Sequence, residues 1–234
     1  MRYKSRAIPL TYIKQGESSI ISKVLTEEKG LQSFIIKGAR SKKSKNKISF
    51  FEPLRLLKIE ASYSPKKTLN YIQEVNIHYP LENNKKIITR NFIAVFISEV
   101  NTRVLQENEP VKEIFNFIWE ATISLYAAKD PDINFALKYL VGLSRFLGFY
   151  PSRKDIDKPF FNLSSGEFCD KKPATNYLHK KQSDYLKSII MDEKLSIPHT
   201  DRSFFLNQLL LYYKQHHYNL ESIKSHLIIE QLRV

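Results

Sequence analysis

A run of cationic side chains gives the first indication of chemistry in this sequence. Residues 37–47 read KGARSKKSKNK, with no Asp or Glu among them. Cationic groups at this density bind polyanions such as nucleic acids, because each neutralised phosphate releases bound counterions. A run of like charge is also typical of a solvated loop. Features elsewhere in the chain are needed to distinguish a polyanion-binding segment from such a loop. The cations are Lys37, Arg40, Lys42, Lys43, Lys45 and Lys47.

The residue types that carry catalysis or bind metals form no recognisable constellation. His216 and His217 are adjacent and would point about 100 degrees apart on a helix, so they cannot share a metal as an i, i+4 pair does. Cys169 is the single cysteine, which excludes an internal disulfide and a multi-cysteine zinc site. The glycines form neither GxGxxG nor GxxxxGKS/T, and Asp155 and Asp157 stand apart from any acidic cluster. We therefore expect a protein that is not an enzyme and uses no cofactor or metal.

Composition and charge distribution favour a soluble protein with one anion-binding module. Of 234 residues 42% are hydrophobic, and the longest apolar runs fall short of the roughly 20 residues that span a bilayer. The N-terminus lacks the apolar segment of a signal peptide, so we expect a cytoplasmic protein with no membrane partner. Residues 1–80 hold 16 Lys and Arg against 6 Asp and Glu, which is +10 of the total +13. Residues 81–234 hold 21 against 18, only +3.

The first 80 residues predict a small β barrel. Segments rich in Ile, Val, Tyr and Phe are separated by turn residues every 8 to 14 positions. Five strands in this length fit an OB-fold, whose sheet and loops commonly bind single-stranded nucleic acid. The predicted strands are residues 6–14, 19–27, 31–38, 51–63 and 69–79.

Apolar residues at three- and four-residue steps predict helices in the rest of the chain. The third of these helices, counted along the chain, is expected to begin with Asp130 as N-cap and Pro131 at the first helical position, and to end before Gly148. FFNLSSGEF, residues 160–168, predicts a hairpin. The fold class is then α+β, with an OB-fold barrel at 1–80 followed by a mainly α-helical domain at 81–234. The other helices are expected near 84–106, 111–127, 183–191, 201–217 and 220–229.

Two motifs resemble the RecO family of bacterial recombination mediator proteins. Gly16-Glu17, Thr26, Gly30 and the segment 37–40, Lys-Gly-Ala-Arg, occupy the family's turn, strand and strand-end positions before a lysine-rich loop. LKYLVGLSRFLGFYP, residues 137–151, is similar to the family's helix that ends in LGF or LGY. The resemblance covers essentially the whole chain and is strongest to the versions from Bacteroidetes-like bacteria.

The resemblance implies an OB-fold joined to a helical domain, and a function in DNA repair and recombination. Family members bind single- and double-stranded DNA, anneal complementary strands coated with single-strand DNA-binding protein, and work with RecR to load RecA. These roles imply a cytoplasmic, nucleoid-associated protein. Many relatives carry a four-cysteine zinc module after the LGF helix, whereas residues 149–178 here hold only Cys169. We expect a metal-free hairpin near 158–170 in its place.

The resemblance and the charge together predict a DNA-binding barrel. Phosphate contacts are expected from the six cations of residues 37–47 and from Arg2, Lys4, Arg6 and Lys14. Tyr12, Phe34, Tyr63 and Tyr71 are candidates for base stacking, with ordinary core packing as the alternative for each. An alternative for the whole protein is a basic adaptor that binds RNA or a ribosomal surface and has no recombination role, because phosphate contacts do not distinguish the sugar.

Two cations of the predicted LGF helix are candidates for a protein partner. The family is recruited by the acidic, apolar C-terminal tail of single-strand DNA-binding protein, which the helical domain receives in some members. Lys138 and Arg145 could meet the carboxylates of that tail beside an apolar groove. The alternative is that both are ordinary solvated helix residues.

Overall fold

Five strands of the first unit close into a barrel in the order β1-β2-β3-β5-β4 in the computed structural model. The structure describes residues 1–41, 47–64, 68–79, 87–194 and 196–227. Neighbouring strands are antiparallel except β3 and β5, which pair in parallel through Phe34–Asn70 and Ile35–Tyr71. This is the predicted OB-like barrel. Its strands are β1 (Arg2–Gln15), β2 (Ser19–Thr26), β3 (Gly30–Ile36), β4 (Leu57–Ser62) and β5 (Asn70–Ile77).

The barrel core comes from alternate residues of every strand. Ile20, Phe34, Ile36 and Ile59 are at most 3% exposed, because successive strand side chains point to opposite faces. Phe51 lies in the same cluster although it precedes β4, in a short 3-10 helix (Ile48–Phe51).

The fourth strand begins later than the predicted residue 51. Pro53 has no N–H to donate to a strand ladder, and Leu54 has a φ of 59°, which takes the backbone out of the extended region. The Leu54 N–H instead donates to Pro9 O at 2.9 Å. The apolar run that suggested a long strand is therefore a buried turn followed by β4.

The compact unit that contains the barrel spans residues 1–131 and also includes two helices. They are α1 (Ile87–Val104) and α2 (Lys112–Ala127), close to the predicted bounds. The domain boundary predicted at Tyr79-Pro80 reaches residues 80–86, which lie outside the described residues, and it stays a prediction.

The second unit, residues 132–234, combines helices with a small sheet. Tyr213 Oη of α5 donates to Leu140 O of α3 at 2.7 Å, within a core that includes Leu143, Leu186 and Phe205. The predicted hairpin is present as two strands with a turn at 163–166, and a third strand extends it into a sheet of order β7-β6-β8. The elements are α3 (Phe135–Phe146), β6 (Phe160–Asn162), β7 (Glu167–Cys169), β8 (Tyr177–Leu178), α4 (Lys180–Ile190) and α5 (His199–Gln215).

The predicted starts of two helices were wrong in this part of the chain. Helix α3 begins at Phe135, and the capping position expected at Asp130 is not used. Asp132 Oδ1 accepts from the Asn134 N–H at 2.8 Å, and the Phe135 N–H donates to Asp132 O at 3.0 Å, so a turn separates Pro131 from the helix. Of the helix predicted at 220–229, residues 220–225 are not helical, His226 and Leu227 are helical, and residues 228–229 lie outside the described residues.

Candidate nucleic-acid interface

Two connections of the barrel meet at one end and bring distant cations together. The Arg40 N–H donates to Ser18 O at 2.9 Å, and Arg40 Nη1 donates to Gly16 O at 3.0 Å. These bonds fix the segment after β3 against the β1–β2 turn. The Ile48 N–H donates to Ala39 O at 3.0 Å, which holds Lys47 close to Arg40.

Strand register adds two further cations to the same end. Lys14 of β1 lies opposite Ile20 of β2, and Ile20 lies opposite Ile36, the residue before Lys37. We call Lys14, Lys37, Arg40 and Lys47 the cationic end of the barrel. All four side chains are exposed, and no ion pair within the described residues joins any of them to an acid. The β1–β2 turn contributes one carboxylate, Glu17.

One of the four predicted stacking aromatics lies beside this end with an accessible ring. Tyr71 is 41% exposed, and Lys37 Nζ lies 5.6 Å from its ring centroid. Phe34 is fully buried in the barrel core, which is the core-packing alternative for this ring, and it cannot stack on a base. Tyr12 packs against the same core, and Tyr63 lies under Lys29 Nζ at 5.6 Å. A cation above an exposed tyrosine is an arrangement that can hold a base and its phosphate together.

Three of the predicted cations cannot be placed. Lys42, Lys43 and Lys45 lie outside the described residues, between Ser41 and Lys47. Both flanking residues are exposed at the cationic end. The predicted DNA contacts of these three lysines stay predictions.

Arg6 lies at the opposite end of β2 and β3 and is held by protein groups. Its Nε and Nη2 donate to the two carboxylate oxygens of Glu27 at 2.8 Å each, and Nη2 also donates to Asn116 Oδ1 at 2.9 Å. The guanidinium lies 4.9 Å from the Trp119 ring and 5.3 Å from the Phe115 ring. The hydrogen bonds from Arg6 lower the pKa of the Glu27 carboxyl. Arg6 therefore links the barrel to α2 through these contacts.

The connection between α1 and α2 packs against the end of the barrel where Arg6 lies. Gly30 begins β3 with a φ of +66°, and an added Cβ would lie 2.3 Å from Glu109 O. Gln32 Nε2 donates to Asn108 Oδ1 at 2.8 Å, and Lys23 Nζ pairs with Glu107 at 3.0 Å. We call the region formed by Arg6, Glu27, Gly30, residues 107–110 and Asn116 the anchored end.

The remaining two cations predicted to contact DNA, Arg2 and Lys4, lie on the part of β1 that pairs with β4. Lys4 Nζ is 4.0 Å from Glu60 Oε2, and its side chain is 85% exposed. Arg2 is exposed opposite Ser62. Lys4 and Arg6 also line a shallow groove of about 480 Å³ whose other charged residues are Lys58 and four acids. The acids are Glu27, Glu28, Glu60 and Glu74. This mixed lining is less suited to phosphate than the cationic end.

In the second unit, the two predicted tail-binding cations share one face of α3. Lys138 and Arg145 are seven residues apart, close to two helical turns, and both are exposed. Lys138 Nζ pairs with Asp132 at 2.8 Å, and the Arg145 guanidinium lies 4.4 Å from the Tyr150 ring. Each is therefore held by a neighbour in the free protein.

Comparison with known proteins gives the family of the chain. Residues 1–81 match the family model "Recombination protein O N terminal", and residues 86–226 match "Recombination protein O C terminal". This chain belongs to the RecO family. A DNA repair protein RecO from Flavobacterium psychrophilum is 32% identical over 240 residues, covering 100% of this chain and 98% of the relative. Those from Flavobacterium johnsoniae and Azobacteroides pseudotrichonymphae are 30% and 29% identical and cover 99% of both chains.

The zinc ion expected in many RecO family members does not fit the residues of this one. Cys169 of β7 is the only cysteine in the sequence, and its Sγ donates to Lys171 O at 3.3 Å. Among the described residues, no group of three His, Cys, Asp or Glu could hold a metal ion. The sheet β6–β8 occupies the interval after α3 with its own buried residues Phe161, Phe168 and Leu178.

Sequence reasoning missed the partners of Arg6 in this RecO family protein. Asn116 and Trp119 are more than 100 residues away in the chain, and neither carries a motif that would indicate the contact.

In the described part of the chain, no helix is long and apolar enough to cross a bilayer.

Proposed function

We propose that this protein acts in DNA repair by binding DNA at the cationic end of its barrel. The observation that carries the proposal is the convergence of Lys14, Lys37, Arg40 and Lys47 on one exposed surface without ion-pair partners in the described residues. Membership of the RecO family supports a repair role. Unpaired cations favour phosphate because binding releases counterions and breaks no existing ion pair.

The proposed activity is strand annealing. Two DNA backbones repel each other, and a cationic surface screens that repulsion without reading the sequence. Single- and double-stranded DNA would both be bound through phosphates, while Tyr71 favours the unpaired bases of single strands because its ring is accessible. We further propose that the protein works with RecR to load RecA onto DNA coated with single-strand DNA-binding protein.

The test replaces Lys14, Lys37, Arg40 and Lys47 by alanine and compares single-strand affinity and its salt dependence with the wild type. We expect affinity to fall on the order of 100-fold near physiological salt, and the slope of log K against log salt to become shallower by about 3, from roughly 0.7 for each phosphate contact. A matched variant replaces four exposed cations elsewhere in the first unit, Lys58, Arg103, Lys112 and Lys129. It removes the same charge.

Equal losses in the two variants would contradict the proposed interface, since only total charge would then matter. Annealing of complementary strands coated with single-strand DNA-binding protein, with an RNA competitor, tests the activity. Absence of annealing together with preferential RNA binding would favour the RNA or ribosomal adaptor instead.

The tail of single-strand DNA-binding protein is proposed to bind the α3 face that carries Lys138 and Arg145. Binding would replace the Asp132 carboxylate on Lys138 by a carboxylate of the tail. Calorimetric titration of a tail peptide should show weaker binding to Lys138→Glu than to the wild type. Lys154→Glu, an exposed lysine of the same unit, is the charge-matched control, and equal affinities of the two variants would reject this assignment.

A further inference from the structure

The sheet β6–β8 has one buried face and one face that carries aromatic rings toward solvent. Phe161, Phe168 and Leu178 are at most 3% exposed and form the inner side. Phe160 lies opposite Cys169, and Asn162 lies opposite Tyr177, so Phe160 and Tyr177 share the outer side. Both are only half-buried, outside the core of the unit.

The outer rings form a connected group. The Phe160 and Tyr177 rings have centroids 6.1 Å apart, and the exposed His179 ring lies 4.8 Å from Tyr177 in an edge-on arrangement. We call Phe160, Tyr177 and His179 the aromatic face. Flat rings that face solvent on a small sheet are the arrangement on which unpaired bases stack, and such stacking tolerates any base sequence.

Two cations border the aromatic face near β8, Lys172 beside Tyr177 and Lys180 at the start of α4. Lys172 Nζ lies 5.4 Å from the Tyr177 ring centroid, and Lys171 and Lys180 are also exposed. In the described parts of the chain, no ion pair joins these three lysines to an acid. Lys181, by contrast, is paired with Asp201 at 2.6 Å.

The position of Lys180 is not explained by helix stability. It opens α4, where the positive end of the helix dipole disfavours a cation, and the first turn of α4 contains no acid. The acids near the sheet lie on the β7 side or already pair with another lysine, as Asp184 of α4 does with Lys187 at 3.0 Å. Glu167 is on β7, separated from β8 by β6, and Asp170 pairs with Lys158 at 3.5 Å. Charge complementarity therefore directs a phosphate backbone along the β8 edge.

We propose that the aromatic face and its bordering lysines form a second contact for single-stranded nucleic acid, with bases stacked on Tyr177 and phosphates beside Lys172 and Lys180. This inference rests on the proposed annealing function, which requires two strands to be held at once. A duplex does not fit the site, since stacked and paired bases cannot reach the rings. An acidic peptide would use the lysines but leave the aromatic rings without a role.

The first experiment maps contacts in the full-length wild-type protein. A short oligothymidylate carrying photoreactive 5-iodouracil is cross-linked, and the modified residues are identified by mass spectrometry. We expect cross-links at Tyr177 or His179 in addition to cross-links at Tyr71. Cross-links confined to the barrel would overturn the second contact and leave the proposed function intact, whereas no binding of the oligonucleotide at all would remove the proposed function itself.

The second experiment measures binding in the four-alanine barrel variant, where residual affinity reports the other site. Adding Lys172→Ala and Lys180→Ala should make the remaining salt slope shallower by about 1.4, from roughly 0.7 per phosphate. Adding Tyr177→Leu should weaken residual binding about tenfold, as expected for the loss of one stacked base. The matched control adds Lys154→Ala and Lys224→Ala, two exposed lysines of the same unit.

Equal slopes for the two lysine pairs would overturn the proposal. So would displacement of the oligonucleotide from Tyr177 by an acidic peptide at lower concentration than by unlabelled oligothymidylate, because the site would then be a peptide site. If Tyr177→Leu fails to fold, the wild-type cross-links and the lysine pair still decide the question.

Discussion

The two ends of the β barrel use the same residue types in opposite ways. At the anchored end, Arg6 is bonded to Glu27 and Asn116, and the turn before β3 is packed against residues 107–110. At the cationic end, Lys14, Lys37, Arg40 and Lys47 are exposed without ion-pair partners in the described residues. A high count of cations therefore does not define a binding surface. The binding capacity of a cation depends on whether the fold already supplies its counter-charge.

Replacement of Gly30 by alanine should give the largest effect on stability. Its φ of +66° is unfavourable for alanine, and the new Cβ would lie 2.3 Å from Glu109 O, a backbone atom that cannot move alone. We expect a loss of about 3–4 kcal/mol in the free energy of unfolding, from the left-handed backbone and the overpacking together. Urea denaturation followed by circular dichroism measures it.

Gly38→Ala at the cationic end is the matched control. Gly38 has a similar φ of +68°, but an added Cβ there would meet nothing within 4 Å. The expected loss is about 1–2 kcal/mol from the backbone alone. Similar losses in the two variants would show that the 107–110 connection does not hold the barrel in solution, and the contrast between the ends would then be incorrect.

Replacement of Arg6 by methionine tests whether Arg6 is a structural residue or the DNA contact expected from sequence. Methionine retains most of the packing against Trp119 but leaves Glu27 and Asn116 without their donor. We expect a loss of about 2 kcal/mol of stability, as for other partly buried ion pairs that lose one member. Single-strand affinity should change less than in Arg40→Ala. Filter binding and urea denaturation of both variants measure the two effects.

Lys4→Met provides the comparison on the same strand. Its pair with Glu60 is long and exposed, so the expected loss is below about 0.5 kcal/mol. If the Arg6→Met protein is stable and its DNA affinity is as low as that of Arg40→Ala, Arg6 is a DNA contact and not a structural residue.

The sequence predicts the elements of the barrel better than their junctions. Segments rich in Ile, Val, Tyr and Phe between turn residues located all five strands, because these residue types are favoured in strands and fill the barrel core. The fourth strand was placed too early because Phe51 and Leu54 are as buried as strand residues but lie in a 3-10 helix and a turn. The third helix was started too early because Asp130-Pro131 resembles a capping sequence, whereas Asp132 forms the turn before α3.

The candidate site was only partly predictable for a different reason. The charge run identified Lys37, Arg40 and Lys47, since neighbours in sequence stay together at a strand end. It could not separate Lys14 from Arg6, which lie on the same strand but at opposite ends of the barrel. That separation depends on contacts with Glu27 and Asn116, and no local pattern encodes a contact across more than 100 residues.

Acid titration should affect the anchored end and not the cationic end. Hydrogen bonds from Arg6 hold the pKa of Glu27 below its usual value of about 4.3. At pH values between the lowered pKa of Glu27 in the folded protein and its usual pKa in the unfolded chain, the unfolded chain binds more protons than the folded one. The stabilisation by the pair is therefore complete above about pH 4.3 and is lost as the pH falls through the lowered folded pKa. The difference in unfolding free energy between wild type and Glu27→Gln should stay constant from pH 7 to about pH 5 and shrink below that.

The comparison with Glu27→Gln isolates this one carboxyl, because other acids and His78, whose pKa burial lowers, titrate in both proteins. Lysine and arginine keep their charge over the same range, so the ratio of single-strand affinities of the wild type and the four-alanine variant should not change between pH 5 and pH 8. A stability difference that already changes between pH 6 and pH 8 would mean that Glu27 is not held by Arg6 in solution. The anchored end would then be as open as the cationic end, and Arg6 would be available to bind phosphate.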